Sequence, residues 1–230
     1  MSALILFFLG LAVGSFLSRC ISRLPAGRPL VGPLPGRDAF ALRDILVALL
    51  TGGLFVWCQT VAGLGPELVK ALTLTCFLIV ITFIDLDHQL ILDRVLVWLA
   101  GAGIAVNLLL AYGPPGASAG VPPGPFAMLM GGLLGGGLML VIAILTRGGM
   151  GGGDIKFAAG LGLWLGWQLT GLTLLLAFLL GGAGSLTVLV LRLKSRKDMI
   201  PFGPFIAVGA YVALLYGHPL LDWYFKHYLR

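Results

Sequence analysis

Asp85 and Asp154 are the two residues whose type and setting most clearly suit chemistry. Asp85 directly follows an apolar run over 68–84, and Asp154 ends the glycine-rich stretch Gly148-Gly149-Met150-Gly151-Gly152-Gly153 just before another apolar segment. An ionised carboxylate carried into hydrocarbon costs about 2.5–3.5 kcal/mol on insertion scales, so one held at that boundary asks for a use. Two carboxyl groups brought close together cannot both ionise freely. They share a proton and can hold a water between them as a nucleophile, which is the chemistry of aspartic proteolysis. A competing Ser, His or Cys constellation is not expected, because His88 lies beside Asp85 while His218 and His227 fall near the end of the chain, on the opposite side of the expected topology.

Further residues attach to these two. Asp87 and Asp93 follow Asp85 in the stretch Asp85-Leu86-Asp87-His88-Gln89-Leu90-Ile91-Leu92-Asp93-Arg94, and Lys156 follows Asp154. Gly151 and Gly153 permit backbone angles closed to other residues and let a second chain segment come close. Asp93 and Asp154 also have plainer readings as helix N-caps, since aspartate is a favoured cap. The three cysteines, Cys20, Cys58 and Cys76, form no CxxC pair. No disulfide framework and no metal site are expected from them, and they read as small apolar residues within helices.

The elements that must position these carboxyls are membrane helices. The chain has 230 residues, of which 59% are hydrophobic and 10% charged, and its mean hydropathy is +1.04. Apolar runs lie at about 2–18, 44–62, 68–84, 94–112, 126–146, 156–168, 171–191 and 201–217. The expectation is an all-α, polytopic transmembrane helix bundle of about eight spans, since a span needs roughly 20 apolar residues. The sixth run is short and rich in glycine, so a re-entrant or half-length helix is an alternative there. Residues 1–230 read as a single membrane domain, with a short basic loop over 18–44 and the core of the domain over 68–217. The segment from Gly113 to Pro125 reads as a linker without chemistry.

Charge supplies the orientation. A net charge of +6 would raise the question of nucleic acid in a soluble protein, but in a membrane chain it reports topology, and no nucleic-acid partner is expected. The first apolar run has no basic segment before it and has Arg19 and Arg23 after it, which fits a retained helix with its N-terminus outside. Alternation then puts Arg19, Arg23, Arg28, Arg37, Arg43, Arg94, Arg147, Lys156, Arg192, Lys194, Arg196 and Lys197 inside. Only Lys70, Lys226 and Arg230 remain outside. Asp38, Asp44, Asp85, Asp87, Asp93, Asp154 and Asp198 fall inside as well, so both candidate carboxyls belong to one face. Asp154, expected at the start of a helix, is the member placed to be ionised, and Asp85, at a helix end, the one placed to carry the proton.

The order Asp85-Leu-Asp-His-Gln-Leu, then Gly149-Met-Gly-x-Gly-Asp154-x-Lys156, then Trp164-Leu-Gly-Trp167, then Ile200-Pro201-Phe202-Gly203-Pro204 resembles the type IV prepilin peptidases, which are GxGD-type intramembrane aspartyl proteases. The resemblance runs from about residue 10 to 216. It implies that Asp85 and Asp154 are the catalytic aspartates, that Gly151 and Gly153 belong to the GxGD element, and that no cofactor serves peptide cleavage. It implies a prepilin or pseudopilin substrate with a short basic leader and an apolar helix, cut at the cytoplasmic face of the cell inner membrane, in type IV pilus or type II secretion systems. Leu92 stands where the family usually has proline, and the segment from Arg19 to Arg43 lacks the two CxxC pairs that many members carry. Methylation of the new N-terminus with S-adenosylmethionine is implied only if that second activity is retained. Two readings from other classes stay open at this level. One is a proton- or cation-coupled transporter, which calls for carboxylates nearer mid-span and two corresponding halves. The other is a non-catalytic scaffold for pilus or secretion assembly.

Overall fold

The computed structural model describes residues 1–29, 41–112, 122–147, 149–191 and 201–228. Arg37, Asp38, the 113–121 part of the linker, Gly148, the basic residues and aspartate of 192–200 together with Ile200, and Arg230 lie outside the described residues. The described chain is helical throughout, with α1 (Ser2–Arg23), α2 (Ala41–Ala62), α3 (Pro66–His88), α4 (Asp93–Tyr112), α5 (Pro125–Leu145), α6 (Gly152–Val190) and α7 (Gly203–Tyr228). All 7 are long and apolar enough to cross a bilayer. Hydrocarbon offers no partner to a free peptide group, so a spanning segment satisfies its backbone internally as a helix. The protein is therefore a multi-pass membrane protein built as a helical bundle.

One of these helices is bent into two limbs. Gly166, at φ 73° and ψ 173°, interrupts α6 with a backbone conformation that favours glycine. Both ends of α6 lie at the same end of the bundle: Gly153 abuts Ile91 in the α3–α4 loop, and Gly181 abuts Phe202 just before α7. Gly166 lies at the other end, against Pro123 ahead of α5. The first limb (152–165) and second limb (167–190) thus run in opposite directions, which gives eight helical segments among the described residues. This agrees with the eight apolar runs, the short sixth run being the first limb. The bend orphans the carbonyls that close the first limb. Buried Asn107 on α4 donates to two of them, Leu163 O at 2.9 Å and Trp164 O at 3.1 Å.

Small residues bring this hairpin against α5. A Cβ on Gly131 would lie 2.4 Å from Gly162 O, and one on Gly135 would lie 2.4 Å from Ala158 O. The two backbones therefore touch with no room for side chains, as small residues allow where lipid leaves no hydrophobic force between helices. Trp164 is fully buried between α4 and the first limb, its Nε1 donating to Leu99 O at 2.7 Å, and Gly103 leaves the space its ring occupies. α3 sits at the centre of the bundle: 56% of its apolar window is buried by protein against 28% for α4 and for α5.

Two helices outrun their apolar runs. α3 continues past Ile84 to His88, and α7 continues past Gly217 and Pro219 to Tyr228, where Trp223, Tyr224 and Phe225 are exposed. Hydropathy reports the hydrocarbon boundary, whereas the hydrogen-bond ladder persists into the interface, where aromatic residues are favoured.

Candidate active site

Asp85 stands one turn before the end of α3, and its backbone carbonyl accepts the N–H of Gln89 at 2.8 Å to close the helix. The side chain is buried, at 5% exposure, on the face turned toward α7. There Gly203 donates its N–H to Asp85 Oδ2 at 3.0 Å. The local reason is the start of α7. Phe202 is its N-cap, accepting from Phe205 N at 3.0 Å, and the Gly203 N–H is one of the donors that no helix can satisfy internally. The absent side chain matters as much, since a Cβ on Gly203 would lie 2.6 Å from the same Oδ2.

Asp154 arrives from the other direction. α6 begins at Gly152, so Asp154 is the third helical residue and not the N-cap that its type suggested. Its own N–H donates to Gly151 O at 3.1 Å, while the Gly151 N–H is directed back at the Asp154 carboxyl. That is one half of a capping box, with aspartate in the place usual for glutamate. A Cβ on Gly153 would lie 2.9 Å from Ile91 Cβ, so glycine lets the start of α6 press onto the α3–α4 loop. The outcome is that the half-buried Asp154 carboxyl lies within electrostatic reach of Asp85. Asp85 accepts a backbone N–H from the start of α7, and the Gly151 N–H at the start of α6 acts on Asp154. The start of a helix therefore faces Asp85 as well as Asp154.

The remaining expected residues lie around this pair at greater exposure. Lys156 Nζ bridges both oxygens of Asp93, at 2.8 and 2.9 Å, with side-chain exposures of 59% and 68%. Asp93 opens α4 as its first helical residue, with Leu92 in the N-cap position, so Asp93 staples α4 to α6 instead of capping α4. Asp87 faces Arg43 Nη2 at 2.7 Å, and Ser18 hydrogen-bonds Asp44; these contacts tie the α1–α2 end of the bundle to the end of α3. His88 is exposed and outside the pair. Among the described residues no group of three His, Cys, Asp or Glu is placed to hold a metal ion. Gly203 was quoted in the motif but not singled out as a site residue. Its signal is a helix start carrying a donor with no internal acceptor, visible only once α7 is set beside α3.

Comparison with known proteins decides the family. The profile described as the type IV leader peptidase family matches residues 72–186, a span that contains both aspartates. The chain belongs to the type IV leader peptidase family. It is 37% identical over 187 residues to the prepilin leader peptidase/N-methyltransferase of Aeromonas salmonicida (strain A449), covering 81% of this chain and 62% of that protein. The protein of the same name from Pseudomonas aeruginosa is 31% identical over 219 residues, covering 94% of this chain and 67% of the relative. That from Bacillus subtilis (strain 168) is 32% identical over 179 residues, covering 77% and 68%. This leader peptidase family chain thus spans about 62% of the length of the Aeromonas relative. No solved structure gives a significant match.

Proposed function

We propose that the chain is a membrane-embedded aspartic endopeptidase that removes the short basic leader from prepilins or pseudopilins, with Asp85 and Asp154 as its catalytic pair. The observation that carries this reading is that Asp85, fixed by the Gly203 N–H, and Asp154 lie at one end of the bundle within electrostatic reach of each other. Held so, they share a proton, and a water between them can be deprotonated by one carboxyl while the other donates to the scissile carbonyl. The pair acts as a unit. Family membership and the names of the relatives support the substrate class.

The aspartates face the cytoplasm in this proposal, across the inner membrane. In support, Arg23, Arg43, Arg94, Arg147 and Lys156 all lie at the aspartate end of the described helices, while Lys70 and Lys226 lie at the other, the bias that orients membrane proteins. A substrate with a basic leader inside and an apolar helix in the bilayer puts its junction level with the pair. An apolar recess of about 240 Å³ between α2, α3 and α7 reaches Thr82 and Phe83, one turn from Asp85, and gives the start of that helix a place to lie. The transporter alternative is disfavoured. Both carboxyls are within a turn of a helix end, and the break in α6 lies at the far end of the bundle from them, whereas transporter sites sit at the midplane.

The test is reconstitution of the protein with a synthetic prepilin carrying a basic leader and an apolar helix, followed by mass spectrometry. Cleavage at the leader junction is expected, without added cofactor. An intact substrate under conditions where the protein is folded would sink the proposal. The relatives' name also includes a methyltransferase, and the proposal is confined to cleavage. Added S-adenosylmethionine would reveal methyl transfer as a mass gain on the new N-terminus in the same spectrum.

A further inference from the structure

At the end of the bundle opposite the aspartates, a cavity of about 530 Å³ opens between α2, α3, α5, α6 and α7. Its volume is in the range of small-ligand sites. Three helix starts meet there: α3 through Glu67, α5 through its N-cap Gly124, and the second limb of α6 through Gly166 and Gln168. Each presents the positive end of a helix dipole and N–H groups without intrahelical acceptors. Helix starts alone do not define a site, but Lys70 lies among them. It is 6% exposed, lines the cavity, and has no hydrogen-bond acceptor and no carboxylate at ion-pair distance among the described residues. Glu67, on the preceding turn, acts on it only at longer range, and His218 lines the opposite wall. The ammonium keeps access to the cavity and, among the described residues, has no partner there, and three converging helix starts add positive potential to it.

We propose that this cavity binds a phosphate ester, with Lys70 as the counter-charge and the α3, α5 and second-limb helix starts supplying backbone donors. At the membrane boundary that chemistry has two sources, a phospholipid headgroup and free phosphate. The inference does not depend on what the aspartates do, since the cavity and the pair lie at opposite ends of the bundle.

The experiment uses the full chain in detergent, with phosphatidylglycerol and inorganic phosphate as separate probes. Native mass spectrometry is expected to show a retained phosphatidylglycerol whose occupancy falls about tenfold in Lys70→Met and is preserved in Lys70→Arg, which keeps the charge. On the wild-type protein, either probe is expected to slow amine labelling of Lys70 severalfold, read on the Lys70 peptide. Protection by the lipid alone identifies a headgroup site, and protection by inorganic phosphate in delipidated protein identifies a free-phosphate site. Equal lipid retention in Lys70→Met together with unchanged Lys70 labelling under both probes overturns the proposal. The labelling arm decides the matter even if Lys70→Met does not fold.

Discussion

Replacing Gly203 with alanine tests the coupling of α7 to the proposed active site without touching either carboxyl. The added Cβ would stand 2.6 Å from Asp85 Oδ2 and 3.1 Å from its Cγ, so α7 or the Asp85 side chain must move by roughly 0.6 Å or more to restore ordinary contact. Either movement stretches the 3.0 Å bond from Gly203 N–H to Oδ2. A hydrogen bond to a charged group is worth about 1.5–3 kcal/mol, and each 1.36 kcal/mol is tenfold in rate. Gly203→Ala is therefore expected to lower kcat/KM for prepilin cleavage by about 10- to 150-fold. The same clash should cost about 1–3 kcal/mol of stability, so the folded fraction is measured alongside. Gly182→Ala, where a Cβ meets open space, is the matched control. The assay is cleavage of a synthetic prepilin in nanodiscs, normalised to folded protein. Wild-type cleavage by Gly203→Ala would refute the reasoning, as would a loss accounted for entirely by unfolding.

Further predictions concern the frame. Gly162→Ala puts a Cβ 2.1 Å from the Gly131 backbone and should cost about 1–3 kcal/mol or more, seen as a lowered thermal midpoint in detergent, whereas Gly137→Ala, facing open space, should leave it unchanged. Asn107→Leu removes the donors to Leu163 O and Trp164 O and should lower stability by about 1–3 kcal/mol, measured by unfolding in mixed micelles; an unchanged midpoint would show that the bend does not need them. Lys156→Met and Asp93→Asn break an ion pair whose side chains are 59% and 68% exposed; such pairs are worth about 0–1 kcal/mol, so prepilin cleavage should stay within about fivefold of wild type.

What could be read from the residues alone was whatever depends on local hydropathy and charge. The apolar runs and the alternation of basic loops lead to a polytopic helical bundle, and they put Asp85 and Asp154 on one face before any packing is known. The short run over 156–168 survives as the first limb of a hairpin, because Gly166 supplies the bend. Helix ends were less legible. α3 extends to His88, and Asp154 and Asp93 sit inside their helices instead of capping them, since side-chain preference does not say which residue starts the hydrogen-bond ladder. Long-range pairings were not legible at all. Gly203 with Asp85, Asn107 with Leu163 and Trp164, and Arg43 with Asp87 join residues far apart in the chain, and no periodicity encodes which helix stands beside which.

The most direct test of the account compares Asp85→Asn, Asp154→Asn and wild type, each inserted in the membrane and confirmed folded, for removal of a prepilin leader by mass spectrometry. Asparagine keeps the size of each side chain and removes the ability to share a proton. The account predicts leader removal by wild type and none detectable by either single variant. Cleavage by either variant at a rate near wild type would contradict an aspartyl pair at this site.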